Sequence, residues 1–333
     1  MKFFLYKLSQ YFLAFICIIT LNFFLVHLMP GDPLVHLLGE EGYLYINNQT
    51  PLEMEKLKAK YGLDGPLYKQ YTAFLANTMK ADLGWSYHYS QPVFQVILFS
   101  LKWTLVLLMP SIFISTLLGA WLGAVAGWRS DQKTDQILTP FFLFIYATPS
   151  YGLGLLFLLV FGFYADLFPL GGMAGQNLSG IAGLADTLSH MALPMAVLVC
   201  HNTAYNYPIM RSAVMQVKTE DYILTAVSKG LKPRQVLFYH VLKNALPPYA
   251  TVIALNFGFM VGGALLVEIV FSWQGMGALI YDALLSRDYP LLSGSLFILT
   301  ICVILANALS DLFNAYIDPR IRGRALDVQD TTV

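Results

Sequence analysis

Long apolar runs separated by short polar segments dominate the 333-residue chain. Each run approaches the roughly 20 residues that a helix needs to cross about 30 Å of hydrocarbon. The composition agrees with a membrane protein, because only 12% of the residues are charged, against about 25% in an average soluble domain. The pattern predicts an all-α polytopic membrane protein with six transmembrane helices, at about 9–29, 100–127, 137–164, 190–210, 249–271 and 290–317.

The first apolar run follows Lys2 and Lys7 and therefore has the charge pattern of a secretory signal. It is too long for the apolar core of such a signal, and no small-residue cleavage site follows it. We therefore expect residues 1–29 to form an N-terminal transmembrane helix.

The basic residues are distributed unevenly between the predicted loops. If both termini are cytoplasmic, thirteen Lys and Arg residues lie inside, and the two short outside loops contain only Arg287. The positive-inside rule therefore predicts cytoplasmic N- and C-termini. Residues 30–99 would then form a periplasmic insertion between the first two helices, since long loops cross the membrane despite their charges.

Small residues and prolines indicate how the predicted helices pack. Gly119, Gly123 and Gly127 share one face of the second helix, a spacing that allows another backbone to come close. Such ladders are common in membrane bundles of every function, so they indicate packing only. Pro110 and Pro149 should kink their helices, because each removes a backbone donor.

The most informative segment, 214–247, lies between the fourth and fifth predicted helices. Asp221 near a helix start, Gly230 where a helix would end and Pro233 at the next start predict a short helix, a tight turn and a second helix. The segment holds no cluster of ligand-type side chains. We expect this helix–turn–helix to lie on the membrane surface and to contact another protein.

Two strings in this segment resemble the EAA loop of ABC importer permeases, in the variant of the peptide/nickel class. They are D-Y-I-L-T-A-V-S-K-G at 221–230 and Y-H-V-L-K-N-A at 239–245. The chain departs from the class at Gln274, where proline is usual, and its 201–207 segment is more polar and aromatic. Further strings that are similar to the class occur in order at 30–33, 81–86, 268–277, 287–290 and 318–322.

The resemblance implies a type I ABC importer permease fold in the inner membrane of a prokaryote. It implies a five-helix core at 100–317, with 214–247 as the cytoplasmic coupling loop, and a cytoplasmic tail at 318–333. In the family this loop docks on the ATPase subunit. The residues that match it here are Asp221, Tyr222, Thr225, Ala226, Lys229, Gly230, Lys232 and His240.

The same resemblance implies the partners of the chain. They are a second homologous permease, two ABC ATPase subunits and an extracytoplasmic substrate-binding protein, all within or beside membrane lipid. The chain has no GxxxxGK[ST] phosphate loop, so we expect no enzyme activity of its own and no bound cofactor, with ATP and Mg used by the partner subunits. The formal net charge of zero gives no indication of a nucleic acid partner, and no clustered spacing of ligands predicts a metal site.

Polar residues inside the apolar runs are candidates for the translocation path, because such groups are costly at membrane depth. His201, Asn202 and Asn206 interrupt the fourth run, and Asn256 lies in the fifth. The favoured alternative is that His201 is neutral and bonds a carbonyl group or Asn256 across a helix interface.

The last outside loop carries three charged residues that either contact the binding protein or pair with one another. These residues are Asp282, Arg287 and Asp288.

Two questions stay open at the level of function. Within the importer interpretation, di- or oligopeptides are the leading substrate, and nickel or a metal chelate is the alternative. A secondary transporter or channel without ATPase partners is the competing class, although the chain shows no clear internal repeat. An intramembrane protease is not supported, because neither H-E-x-x-H nor G-x-S-x-G occurs.

Overall fold

The computed structural model describes residues 2–28, 43–46, 50–60, 65–173 and 180–317, which are mostly helical. A two-stranded antiparallel ribbon pairs β1 (Trp85–Ser86) with β2 (Gln91–Pro92). The helices are α1 Lys2–His27, α2 Pro51–Lys60, α3 Leu67–Met79, α4 Val93–Trp128, α5 Lys133–Ala147, α6 Ser150–Phe157, α7 Gly180–Lys218, α8 Asp221–Ser228, α9 Pro233–Gln235, α10 Leu242–Val270, α11 Met276–Leu285 and α12 Tyr289–Ile317. Two π-helical segments, Leu158–Tyr164 and Val236–Val241, follow α6 and α9.

Several predicted features fall outside this description. The strings at 30–33 and 318–322, the tail at 318–333 and the side chain of Asn256 are among them.

By length and composition, three of the described helices can cross a membrane, namely Val93–Trp128, Gly180–Lys218 and Tyr289–Phe313. A fourth span is present if α5 and the helix after it count as one. Helices α1 and α10 cover the first and fifth predicted spans, and α1 contains the shorter apolar stretch Ser9–Phe24. The helical prediction is confirmed for the described residues, and the count of six spans stays a prediction.

The third predicted span, 137–164, is broken rather than continuous. α5 ends at Ala147, and the helix that starts after Pro149 is bent from it by 102°. Thr148 is extended, with ψ of 127°, as expected for a residue before proline. The predicted kink at Pro149 is therefore a full helix break. Pro110, in contrast, lies inside the uninterrupted helix α4.

The chain forms two compact units. The first contains Trp103–Gln274 and the last residues of α12. Its packing depends on the predicted glycine ladder of α4. A β-carbon added at Gly123 would lie 2.6 Å from the carbonyl oxygen of Tyr207, and one added at Gly127 would lie 2.6 Å from that of Arg211. These distances confirm that the ladder lets α4 and α7 approach backbone to backbone.

A fully buried tryptophan joins two helices of the same unit. The Trp273 indole nitrogen donates to the backbone oxygen of Trp103 over 3.1 Å, and the two rings pack edge to face at 5.8 Å. Trp273 belongs to the 268–277 string, so at least part of that string has a structural role.

The second unit contains α1 from Tyr6 onwards, residues up to Lys102, α11 and the first half of α12. Phe23 of α1 packs against Tyr71 of α3 with ring centres 5.2 Å apart, and Thr20 hydrogen-bonds the same tyrosine at 2.7 Å. On another side of α1, the Asn22 amide donates to Thr300 over 3.5 Å. Aromatic and polar contacts therefore hold α1 between α3 and α12.

The glycine ladder generates a stability prediction. Replacing Gly123→Ala adds a methyl group where the nearest atoms are backbone, so α4 and α7 must separate. Overpacking of this kind costs about 1–3 kcal/mol, which exceeds the gain of about 1 kcal/mol from replacing glycine inside a helix. We expect a lower melting temperature of the detergent-solubilised protein in a fluorescence-detected thermal shift assay.

Gly152→Ala is the matched control, because its added β-carbon meets only the Thr148 methyl group at 3.8 Å. It should melt at or above the wild-type temperature. Equal melting temperatures for the two variants would show that the α4–α7 approach does not limit stability.

Candidate functional site

The predicted helix–turn–helix between α7 and α10 is present, and we call residues 219–241 the hairpin. α7 ends at Lys218, α8 runs from Asp221 to Ser228, and α9 begins at Pro233. A π-helical segment then leads into α10.

Gly230 makes the turn between α8 and α9. Its φ is +76°, the left-handed conformation that side chains with a β-carbon rarely adopt. Its N–H donates to the Val227 oxygen over 2.9 Å, and the Lys229 N–H donates to the Thr225 oxygen over 3.1 Å, which closes the end of α8. The Gln235 side chain accepts from the Lys232 N–H over 3.2 Å at the start of α9. The predicted glycine turn is thus confirmed.

α8 has one buried face and one exposed face. Ile223 is 2% exposed and Ala226 is also buried, and both pack in a core with Met210 and Val214 of α7. On the other face Leu224 is 62% exposed. The buried face fixes the hairpin to the end of α7, and the other face leaves apolar side chains exposed.

The eight predicted coupling residues divide between these faces. Ala226 is buried and His240 is partly buried. The others are exposed, namely Asp221, Tyr222, Thr225, Lys229, Gly230 and Lys232.

Asn244 of α10 holds two of these residues in place. Its amide nitrogen donates to the Tyr222 hydroxyl over 3.0 Å and to the His240 backbone oxygen over 2.9 Å. Sequence reasoning quoted Asn244 only as part of a string, although an asparagine in a strongly apolar helix start was a usable signal. It ties α8 to the beginning of α10.

An ion pair missed by sequence reasoning lies where α5 meets α7. The Arg211 guanidinium donates to both carboxylate oxygens of Asp135, over 2.6 and 2.7 Å. Asp135 is 4% exposed. Each residue is a charged group beside an apolar stretch of its helix, which was the available signal, but 76 residues separate them and no local rule pairs them.

The polar residues of α7 lie at different depths. Asn206 is 0% exposed and Asn202 is also buried, while His201 is partly buried. The Asn206 β-carbon lies where a side chain on Gly119 would be, so Asn206 faces α4. In the described part of the chain, no hydrogen-bond partner reaches Nδ1 of His201, Nδ2 of Asn202 or either amide atom of Asn206.

Asp288 is not available for a direct contact with another protein. Its side chain is 0% exposed. One carboxylate oxygen accepts from the Ser86 hydroxyl over 2.6 Å and from the His88 N–H over 3.0 Å, and the other accepts from the Leu291 N–H over 3.1 Å. The prediction of Asp288 as a binding-protein contact is therefore corrected: this carboxylate caps α12 and holds the loop of the β-ribbon.

The other two predicted contacts, Asp282 within α11 and Arg287 just after it, are more accessible. Arg287 is partly buried and has φ of +51°, and Asp282 is exposed. Asp282 accepts from the Tyr89 hydroxyl over 3.4 Å. Burial, followed by the negative charge of Asp282, raises the pKa of the Tyr89 phenol, so this tyrosine stays neutral and acts as a donor at physiological pH.

Comparison with known proteins gives consistent matches along the chain. The profile of the family described as "Binding-protein-dependent transport system inner membrane component" matches residues 115–323, more than half of the chain. A Brucella ovis protein named as a peptide permease is 35% identical over 91% of this chain and 93% of its own. The dipeptide transport system permease protein of Escherichia coli K12 is 32% identical over 97% and 99%, respectively.

Two further matches extend this result. The oligopeptide transport system permease protein of Bacillus subtilis is 32% identical over 91% of this chain and 94% of its own. A solved structure described as "Crystal structure of an amino acid ABC transporter with histidines" superposes with a TM-score of 0.50 at 16% identity, over 67% of this chain and 94% of that chain. At this identity the likeness concerns the fold alone.

The two faces of α8 generate a prediction about the hairpin. Ile223→Ala removes a buried side chain from the core that anchors α8, a change that typically costs about 2–5 kcal/mol. Much of this cost should appear as local opening, because α8 is short and ends in a turn. We expect faster hydrogen exchange of the α8 amides, measured by mass spectrometry on the solubilised protein.

Leu224→Ala provides the control, since it shortens an exposed side chain of the same helix. Its α8 amides should exchange at the wild-type rate. Similar acceleration in both variants would mean that the core does not anchor α8.

Proposed function

Because this chain belongs to the family of binding-protein-dependent transport system inner membrane components, we propose that it is a permease subunit of an ATP-driven importer of di- or oligopeptides. The observation that carries the proposal is the hairpin, whose buried face is fixed in the helix core and whose exposed face lies free for a partner. The subunit would form half of the translocation path.

The choice of peptides over nickel follows the names of the relatives. Three proteins that align over at least nine-tenths of this chain are named for peptides, dipeptides or oligopeptides. Nickel or a metal chelate is therefore the less favoured substrate of the same architecture.

We further propose six transmembrane spans with both termini in the cytoplasm. The excess of Lys and Arg in the loops that would then be cytoplasmic supports this orientation. In this topology the hairpin faces the cytoplasm, and the insertion at 30–99 faces the opposite side.

The hairpin is the proposed docking site of an ABC ATPase subunit. ATP and Mg would bind to that subunit, since this chain has no phosphate loop of its own, and the chain would have no catalytic residues. Closure of two ATPase subunits would push the hairpin and bias the bundle between two packings, a rigid-body switch. Basic residues Lys229, Lys232 and Arg234 give the exposed hairpin a positive end for an acidic partner surface.

The remaining partners are a second homologous permease, which would supply the other half of the path, and a substrate-binding protein on the outer side. Asp282 and Arg287 are the proposed contacts with the binding protein, because Asp282 is exposed on α11 and Arg287, just after that helix, is partly exposed. His201, Asn202, Asn206 and Asn256 are the proposed polar lining of the path. A His201→Ala complex that assembles normally and transports with unchanged kinetics would contradict that lining.

The function is tested by co-expression with a candidate second permease and candidate ATPase subunits, and with the binding protein supplied separately. We expect the chain to co-purify with an ATPase subunit, and the complex in proteoliposomes to take up radiolabelled dipeptide only with ATP inside and binding protein outside. Nickel uptake by the same vesicles would redirect the substrate assignment. Uptake by the chain alone, without an ATPase, would instead support a secondary transporter or a channel.

Gly230 provides a sharper test of the hairpin. Gly230→Val places a β-branched side chain at φ of +76°, where the backbone strain is about 1–3 kcal/mol. Space is not limiting, because no atom lies within 4 Å of an added β-carbon. We expect an assembled complex that takes up less peptide for each ATP hydrolysed.

Gly230→Asn is the control, since asparagine tolerates the left-handed conformation much better. It should retain most of the wild-type ratio of uptake to hydrolysis. Wild-type transport and ATPase rates in Gly230→Val would refute the docking role of this turn.

A further inference from the structure

The geometry points to a positioning role for the Asp135–Arg211 ion pair: it makes α5 move together with the hairpin, so that ATP-driven movement of the hairpin reaches the helix break at Pro149. This inference rests on the proposed function, because it concerns how the motion at the docking site is passed on.

The pair is geometrically specific on the carboxylate side. Oδ1 of Asp135 accepts from Arg211 Nε over 2.6 Å and from the Thr139 hydroxyl over 2.8 Å. Oδ2 accepts from Arg211 Nη2 over 2.7 Å and from the Asp131 N–H over 3.1 Å. Four donors therefore hold one buried carboxylate, and bidentate pairing of this kind fixes orientation as well as distance.

The contact between α5 and α7 continues beyond the ion pair. Thr139 shares a 2.8 Å hydrogen bond with the Tyr207 hydroxyl, one turn before Arg211 on α7. The Tyr207 ring stacks on Phe142 of α5 with centres 4.7 Å apart. Three successive contacts along α5 thus belong to the same stretch of α7.

α7 also holds the turn that precedes α5. The Lys218 ammonium group donates to the Trp128 backbone oxygen over 3.0 Å and to the Ser130 hydroxyl over 3.2 Å. It therefore caps the C-terminal end of α4, where a positive charge is favourable. Lys218 therefore bonds the turn between α4 and α5, and Arg211 bonds Asp135 just after this turn.

The stretch of α7 from Arg211 to Lys218 is the part that precedes and supports the hairpin. Val214 lies midway between them and packs in the same core as Ile223 and Ala226 of α8. A displacement of α8 therefore acts on residues 211–218, where Arg211 bonds the start of α5 and Lys218 bonds the turn before it. Separation of α5 would require a buried ion pair to open, and that is strongly unfavourable when one charge stays buried.

The far end of α5 adjoins a helix break, and there Tyr146 still packs near Tyr205 of α7 with ring centres 6.0 Å apart. The helix stops at Ala147, and the chain turns by 102° before α6. Breaks of this kind absorb the change in backbone angles when rigid segments rotate. α5 is thus bonded near its start to the stretch of α7 that carries the hairpin, and it ends at a break where the next helix can change its angle.

The two possible roles of the ion pair, holding the fold or positioning α5, lead to different expected results. If it only holds the fold, its loss lowers the amount of assembled complex, and the complex that remains couples normally. If it positions α5, the assembled complex hydrolyses ATP but uses less of it for transport. The ratio of ATP hydrolysed to peptide taken up separates the two cases.

The experiment compares Asp135→Asn, Arg211→Gln and the exchanged pair Asp135→Arg with Arg211→Asp in the full complex in proteoliposomes. Each neutralised variant should raise the ratio of ATP hydrolysed to peptide taken up by about 5-fold, the lower end of typical coupling effects. The maximal uptake rate should fall while the KM for peptide stays near the wild-type value. The exchanged pair should recover much of the wild-type ratio.

Asp166→Asn is the matched control, because it makes the same chemical change at an exposed loop position. It should leave the ratio unchanged. A second measurement uses spin labels on Ile137→Cys and Thr219→Cys, both at exposed positions of α5 and the hairpin, in a background without the three native cysteines. The distance between the labels should stay constant when the wild-type complex is trapped with ATP, and should change in Asp135→Asn.

Two results would overturn the inference: a wild-type ratio in both neutralised variants, or a label distance in Asp135→Asn that stays as constant as in the wild type. Failure of the proposed function has a different signature. In that case the wild-type complex itself neither takes up peptide nor hydrolyses ATP in response to the binding protein.

Discussion

Where the glycines of α4 meet α7, the two backbones approach so closely that one added β-carbon would overlap a carbonyl oxygen. This approach brings the end of α4 close to the end of α7, where Lys218 donates to the Trp128 carbonyl oxygen, the last of α4. It also places Met210 and Val214 in the core that receives α8. The position of the hairpin therefore depends on the close approach of α4 and α7 at these glycines.

Local features of the fold could be read from the sequence, because they follow rules that act over a few residues. The turn at Gly230, the helix start at Pro233 and the glycine face of α4 are of this kind. Contacts between residues that lie far apart in the sequence could not be predicted from it. Asp135 and Arg211 lie 76 residues apart, and Asp288 reaches Ser86 across 202 residues, so only the folded chain reveals either partner. Asp288 illustrates this limit, because a charged residue in a predicted loop was expected to be exposed and is buried.

The carboxylates of Asp135 and Asp288 differ from the amides of Asn202 and Asn206 in how they are hydrogen-bonded. The carboxylates of Asp135 and Asp288 each accept several hydrogen bonds, which offsets the large cost of removing a charge from water. Asn202 and Asn206 of α7 are buried with amide atoms that no described residue bonds. A neutral amide costs much less to bury than a charge, so the helix interior can contain such groups with unbonded amide atoms.

The left-handed turn at Gly230 and the buried face of α8 have one more consequence. Because the hairpin is already folded around its own contacts, a protein that docks on it has little chain to order, and the entropic cost of association is small. An exposed patch on an eight-residue helix can then give useful affinity. For the proposed ATPase partner, a hairpin that is rigid before the encounter would allow a contact of modest area to form and separate repeatedly.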